Sequence, residues 1–362
     1  MRKQIWRQWC LSLVVGTVLA VPGWEVRAAC VVETPKSETK AGLVLHLGPD
    51  CTTDEREAHV VRGNAIVEAI TQGGRVDLIG VIVRGDVILE RLGTTSVRSK
   101  SGSRSPAARV DEPAEGGESL AVGEAVMIRD SVVLGGVRHR STAGKLRFDG
   151  PVDFQGTRFK AGVDLSRATF QDALDLSGAI FEKEALFVQG DFGRGMGCRD
   201  TKFGPSTRFH RSVFRGPVDC TGALFDGMAE WLEVSFEGTA AFERGRFGLG
   251  TGFSGSRFAQ QAKFSDAIFS RETFFAFTKF EGNTVFAGAQ FLGPADFSQA
   301  EFKERDDLSA VRFDQPPDFS QTKRIAQDPA AGFMESRAGQ YTFTLLLLVV
   351  AAALVAYMVK MK

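Results

Sequence analysis

The sequence of 362 residues predicts an all-β chain that coils around stacked phenylalanine rings, and three observations predict it. Phe accounts for 30 residues against 2 Tyr and 4 His, so one residue type is being used as a structural module. From Phe148 to Phe319, large apolar residues recur at alternating steps of six and five, giving 32 positions of which 26 are Phe. The residue two before each is usually small, as at Ala168, Ala179, Thr207, Ala240, Thr278 and Ala300. An amphipathic helix would repeat at about 3.6 residues and a half-buried strand at about 2. Gly also recurs throughout this stretch, which a long helix would not tolerate. Because positions i and i−2 of a short strand share a face, each side buries one ring and one small neighbour.

An eleven-residue period keeps its columns aligned only if a coil holds 11 or 22 residues. Two short sides could hardly enclose two rings, so 22 is predicted. At that period the columns beginning at Phe148 and Phe159 are Phe throughout. Leu165, Leu176, Cys198, Cys220, Trp231 and Leu308 all fall in the other two columns. Eight such coils at the strand spacing of about 4.8 Å would make a rod of roughly 38 Å.

The stretches GVDLSRATF, ALDLSGAIF, PADFSQAEF and GPVDCTGALF resemble the pentapeptide-repeat family, whose motif is Ala-Asp/Asn-Leu/Phe followed by two polar residues. The likeness covers residues 148–319, and the alternation of six with five departs from a strict five. The resemblance implies a right-handed, four-sided (quadrilateral) β-helix solenoid.

The other segments follow in chain order. Residues 1–28 read as a signal peptide: Arg2, Lys3 and Arg7 precede an apolar run from Leu11 to Val21, too short to span a bilayer, with small residues before a cleavage point after Ala28. Within 29–74, Asn64 is expected to cap a short helix through Ala65 to Ile70 that covers the open end of the coil, stopped by Gly73-Gly74. Coiling is expected from about Arg75, through irregular first coils over 75–147 with a flexible insert at 93–120. After the regular repeats of 148–319, residues 320–341 read as a polar linker. Thr342 to Val359 is uncharged, has no polar stripe, and is expected to cross a membrane as a helix of roughly 27 Å. Lys360 and Lys362 then favour a cytoplasmic C-terminus, with the repeat domain outside the cytoplasm, periplasmic or extracellular.

Balanced charge, 44 basic against 44 acidic residues, gives no sign of nucleic-acid binding. His46, His59, His139 and His210 are scattered and read as surface residues, and neither a metal nor a cofactor is expected. Asp153, Asp164, Asp175, Asp219, Asp296, Asp307 and Asp318 recur beside the comb, which favours solvated turn residues over catalytic carboxylates. No phosphate-binding loop or nucleophile elbow is present. The expected function is a non-catalytic, membrane-anchored scaffold or protein-interaction rod. Two alternatives stand beside it: a DNA mimic occupying a topoisomerase, as the family likeness suggests, and a β-helix carbohydrate-active enzyme. The repeats carry 25 acids and 19 bases, only modestly acidic for a DNA mimic.

Two sets of residues are singled out. Cys198 and Cys220 lie 22 residues apart, stacked on neighbouring coils, and pairing is expected there and between Cys30 and Cys51. The alternative for the first couple is two small buried thiols. Phe274 and Phe277 break the comb and should face outward as an interaction patch for a protein partner or a second copy, unless the linker after Phe319 covers them.

Overall fold

The computed structural model describes residues 30–34, 42–91, 119–139 and 145–324. Its strands are mostly two residues long, and in the regular repeats each pairs in parallel with the strand one coil on: Phe159 lies opposite Phe181, and Phe181 opposite Phe203. The 22-residue register is thus observed directly. Four sheets result, of 12, 11, 9 and 10 strands among the described residues. We term them A to D in the order the chain visits them, as in Val152–Asp153, Arg158–Phe159, Val163–Asp164 and Thr169–Phe170. The architecture is a right-handed-type β-solenoid of about ten turns.

The alternation of five and six has a backbone cause. In each five-residue step, from A to B and from C to D, the chain makes a β-turn: the Thr157 N–H donates to the Phe154 carbonyl (3.1 Å) and the Ala179 N–H to that of Leu176 (2.9 Å). The third turn residue is left-handed, as at Gly156, Arg167, Gly178 and Gln189, which is the geometry of a type II turn. Tight corners therefore alternate with wider ones.

Inside, the column on sheet B stacks Phe159, Phe181, Phe203, Phe225, Phe247, Phe269, Phe291 and Phe313 at centroid spacings of 4.7–5.2 Å. Rings two sheets apart meet edge to face, as Phe264 on sheet A and Phe275 on sheet C do at 5.4 Å and 82°. Both geometries suit the ring quadrupole, and burying each ring contributes about 1.5–3 kcal/mol before entropy. The small position two before each ring has a second use. On sheets B and D, where it is Ser or Thr, the buried hydroxyl donates to a carbonyl of the preceding coil, as from Thr201 to Leu176 (2.7 Å), Ser212 to Phe187 (2.8 Å) and Thr278 to Phe253 (2.9 Å). On sheet C, Thr251 and Thr273 instead reach the carbonyl two residues back.

The N-terminal end differs from expectation. Coiling starts not at Arg75 but with Leu43–Leu47, which pairs in parallel with Val76–Ile79 on sheet A, while Val61–Arg62 opens sheet B. Helix α1 (Thr53–Ala58) was not foreseen; Thr52 and Glu55 form a reciprocal capping box at its start. Helix α2 (Gly63–Thr71) buries Ile66, Val67, Ala69 and Ile70 in the same continuous core as the rings. Asn64 does not cap it: the N-cap is Arg62, which makes no side-chain bond there, and Asn64 falls inside the first turn. Residues 119–139 and 145–148 are also more regular than expected, since Ser119–Val122 pairs in register with Lys145–Phe148. Ser119 and Leu120 therefore belong to a strand, and the rest of the expected insert lies outside the described residues. So do the signal segment 1–28, the linker beyond Arg324 and the membrane span 342–359. Among the described residues, no helix is long and apolar enough to cross a membrane.

Candidate interaction surface

Sheet C carries the residues that break the comb. In the strand Thr273–Phe274, Thr273 points inward and Phe274 outward, with Gly252 and Asp296 as ladder neighbours. Phe277 occupies the left-handed corner between C and D, at φ 58°. The two rings are 44% and 56% exposed, as the comb predicts from their phase. Corresponding corners hold Gln189, Arg211, Glu233, Gly255 and Gln299. A bulky side chain in that backbone region is disfavoured, so the ring at 277 stands where glycine or a polar residue is the rule. Leu232 extends the apolar strip: a Cβ on Gly252 would meet its Cδ2 at 2.8 Å, so the leucine lies over the glycine beside Phe274.

The recurrent acids have a structural role. Each of the seven aspartates named above accepts the backbone N–H two residues on, from Gln155, Ser166, Ser177, Thr221, Ser298, Ser309 and Ser320 respectively, at 2.8–3.1 Å. These are Asx turns, the solvated reading favoured from the sequence. Burial pushes the Asp153 carboxyl above its usual value against that hydrogen bond. For Asp219 burial acts in the same direction, but bonds from Arg199 and Thr221 outweigh it and hold the carboxyl low. Arg199 and Asp219 border a shallow cleft of about 480 Å³ over Ala241, with Arg244 and Lys263 on its rim.

The histidines need one correction. His59 is exposed, and His46 and His210 are partly exposed beside Asp77 (3.0 Å) and Glu230 (3.4 Å). His139, read as a surface residue, is buried in the strand-end packing at 2% exposure. Among the described residues, no group of His, Cys, Asp and Glu could hold a metal ion.

Cys30 and Cys51 have Cα atoms 4.4 Å apart, and so do Cys198 and Cys220, so both couples picked out in the sequence stand at disulfide distance. Cys198 and Cys220 sit in the sheet A column, fully buried, where the neighbouring coils supply Leu176 and Phe242. Sequence reasoning missed the Leu232–Gly252 contact and the hydroxyl bonds between coils. The signal for the latter was visible as Ser and Thr among the small residues.

Compared with known proteins, residues 146–190 match the family model described as pentapeptide repeats (9 copies), which agrees with the resemblance read from the sequence. No curated protein and no solved structure matches the chain.

Proposed function

We propose that this pentapeptide-repeat chain is a non-catalytic interaction rod, held to a membrane by residues 342–359 with its repeats outside the cytoplasm. The observation that carries the interaction reading is the pair of exposed rings, Phe274 and Phe277, with Leu232 beside them on sheet C. Contiguous exposed apolar patches, aromatic ones above all, mark protein contacts. Four sheets per turn support a four-sided cross-section, and the apolar face of α2 supports its role as an end cap. The cysteine spacings support two disulfides, which fits an oxidising compartment.

Two experiments test this. A topology reporter inserted after Phe319 of the full chain should read out on the outer side; a cytoplasmic signal removes the anchored-rod reading. Crosslinking from intact membranes should capture a protein partner through the 274–277 face. A Phe274→Ser/Phe277→Ser chain should fold with stability changed by less than about 1 kcal/mol and lose that crosslink. Collapse of the fold in that chain would mean the rings are core.

A further inference from the structure

Sheet B presents a second regularity on its outer face. Parallel register aligns Arg158, Ile180, Lys202, Leu224, Arg246, Ile268 and Gln290 in one outward column, each opposite the next. Cations and aliphatic residues alternate, so the charges recur on every second coil, about 9.6 Å apart at the usual strand spacing. On other walls several cations pair with acids of neighbouring coils, although among the described residues Arg244 and Lys263 on sheet A do not. On sheet D, Arg215 meets Asp191 (2.8 Å) and Glu237 (3.8 Å), Lys303 meets Glu281 (2.8 Å), and Lys323 meets Glu301 (2.7 Å). Lys202 and Arg246 have no ion-pair partner among the described residues. Arg158 shares Glu182 with Lys160, at 3.0 and 2.6 Å, which leaves one positive charge in excess there too. Beside the column runs a cleft of about 470 Å³ lined by Ile180, Lys202, Pro205 and Leu249 together with the acids Glu182 and Asp226, so an anionic ligand is held by the column of cations and not by this cleft.

We infer that this face of sheet B binds a linear anionic polysaccharide laid along the solenoid axis, with one acidic group on every second sugar. The carboxylate or sulfate oxygens accept hydrogen bonds from Arg158, Lys202 and Arg246, whose separation matches the length of an extended disaccharide. Ile180, Leu224 and Ile268, half-buried between them, form flat apolar rungs for the C–H faces of the intervening sugars. Duplex DNA carries a charge about every 1.7 Å of its axis, far denser than this ladder. A bilayer surface is also a poorer match, because the apolar rungs sit below the cationic side chains and no aromatic belt accompanies them. The inference is independent of the aromatic patch on sheet C.

The test uses the full-length chain in phosphatidylcholine nanodiscs and hyaluronan oligosaccharides, which bear one carboxylate per disaccharide. Eight-sugar hyaluronan should bind, and a neutral cello-oligosaccharide of the same length should not. Lys202→Gln/Arg246→Gln should weaken hyaluronan binding about tenfold with an unchanged circular dichroism spectrum, as expected for two lost charge contacts. Arg244→Gln/Lys263→Gln, on the sheet A cleft, should leave binding as it was. Gln290 occupies the next in-phase position, so Gln290→Lys should tighten eight-sugar binding about threefold and four-sugar binding less. Equal binding by parent and the sheet B variant overturns the inference. So does an equal loss in the sheet A variant, or tighter binding of duplex DNA or phosphatidylglycerol vesicles than of hyaluronan.

Discussion

Phe277 combines a left-handed backbone with a ring that gains little from burial. A non-glycine residue in that conformation costs about 1–2 kcal/mol, and glycine escapes the cost while gaining freedom in the unfolded chain. Phe277→Gly should therefore leave stability unchanged or raise it by up to about 1 kcal/mol in a denaturant titration. A large loss would show that the ring packs against something. Asp153 offers a second contrast. Asn keeps an oxygen for the Gln155 N–H without a half-buried charge, so Asp153→Asn should be neutral or stabilising at pH 7. Asp153→Ala should instead lose about 1 kcal/mol with the turn. The sign against pH is also set. A carboxyl raised in the folded state binds its proton first there, so this site's contribution to stability grows as pH falls through its raised value. The outward phase of both rings was legible because the comb assigns each position a side. The left-handed corner was not, because Arg, Gln, Glu and Asp fill it more often than Gly does, leaving no residue signature.

Among elements, the coil is the unit of stability. Phe264 is fully buried between Phe242 and Phe286, so Phe264→Ala should cost about 3–5 kcal/mol. Phe264→Leu should cost clearly less, because the same column already accepts Leu176 and Leu308. Thr278→Val keeps the volume but strips the hydroxyl from the Phe253 carbonyl, and should cost about 1 kcal/mol. Calorimetry of the full chain reads each of these. The regular coils were legible down to the stacking of Cys198 on Cys220, since one period fixes every column. The first coil was not. LVLHL at 43–47 has strand alternation but no Phe, and Leu43 rather than a small residue stands two before Leu45, so the comb does not reach it. TDEREA at 53–58 is too short and too polar for periodicity to mark a helix, and only the Thr52–Glu55 pair at its start announced one.

For the whole molecule, ion pairs across coils make an acid-sensitive skin over an acid-indifferent core. Hydrogen bonds from Lys303 and Arg257 hold the Glu281 carboxyl below its usual value, and Lys323 does the same for Glu301. A carboxyl lowered in the folded state supplies its full stabilisation above the ordinary Glu pKa. That stabilisation is lost as pH falls through the lowered folded value. Thermal midpoints should therefore decline below the ordinary Glu pKa, and high salt at neutral pH should reduce the drop by screening the pairs. A midpoint flat across that window would mean the pairs are mutually compensated by solvent. At the C-terminal end, Phe313 and Phe319 are only partly buried, with the Arg324 guanidinium 5.8 Å from the centre of the Phe319 ring. Contacts in a solenoid run only to nearest neighbours, so amide exchange should be fastest in these last strands and slowest in the middle coils.

The repeated pairing of one tight corner with one wide corner means that eleven residues make half a turn, and both halves have the same corner sequence. A deletion or duplication of eleven residues would leave every ring in a column and every left-handed corner in place. Everything beyond the edit would nonetheless be rotated by two sheets, carrying residues from C to A and from B to D. Lineages of this chain could therefore exchange the chemistry of opposite walls in a single step, without any trace in the core. Conversely, an insertion of five or six residues would put a tight corner where a wide one belongs, and would be paid for in packing. The arrangement separates what keeps the rod standing from what it displays, and lets display be re-dealt in half-turn blocks.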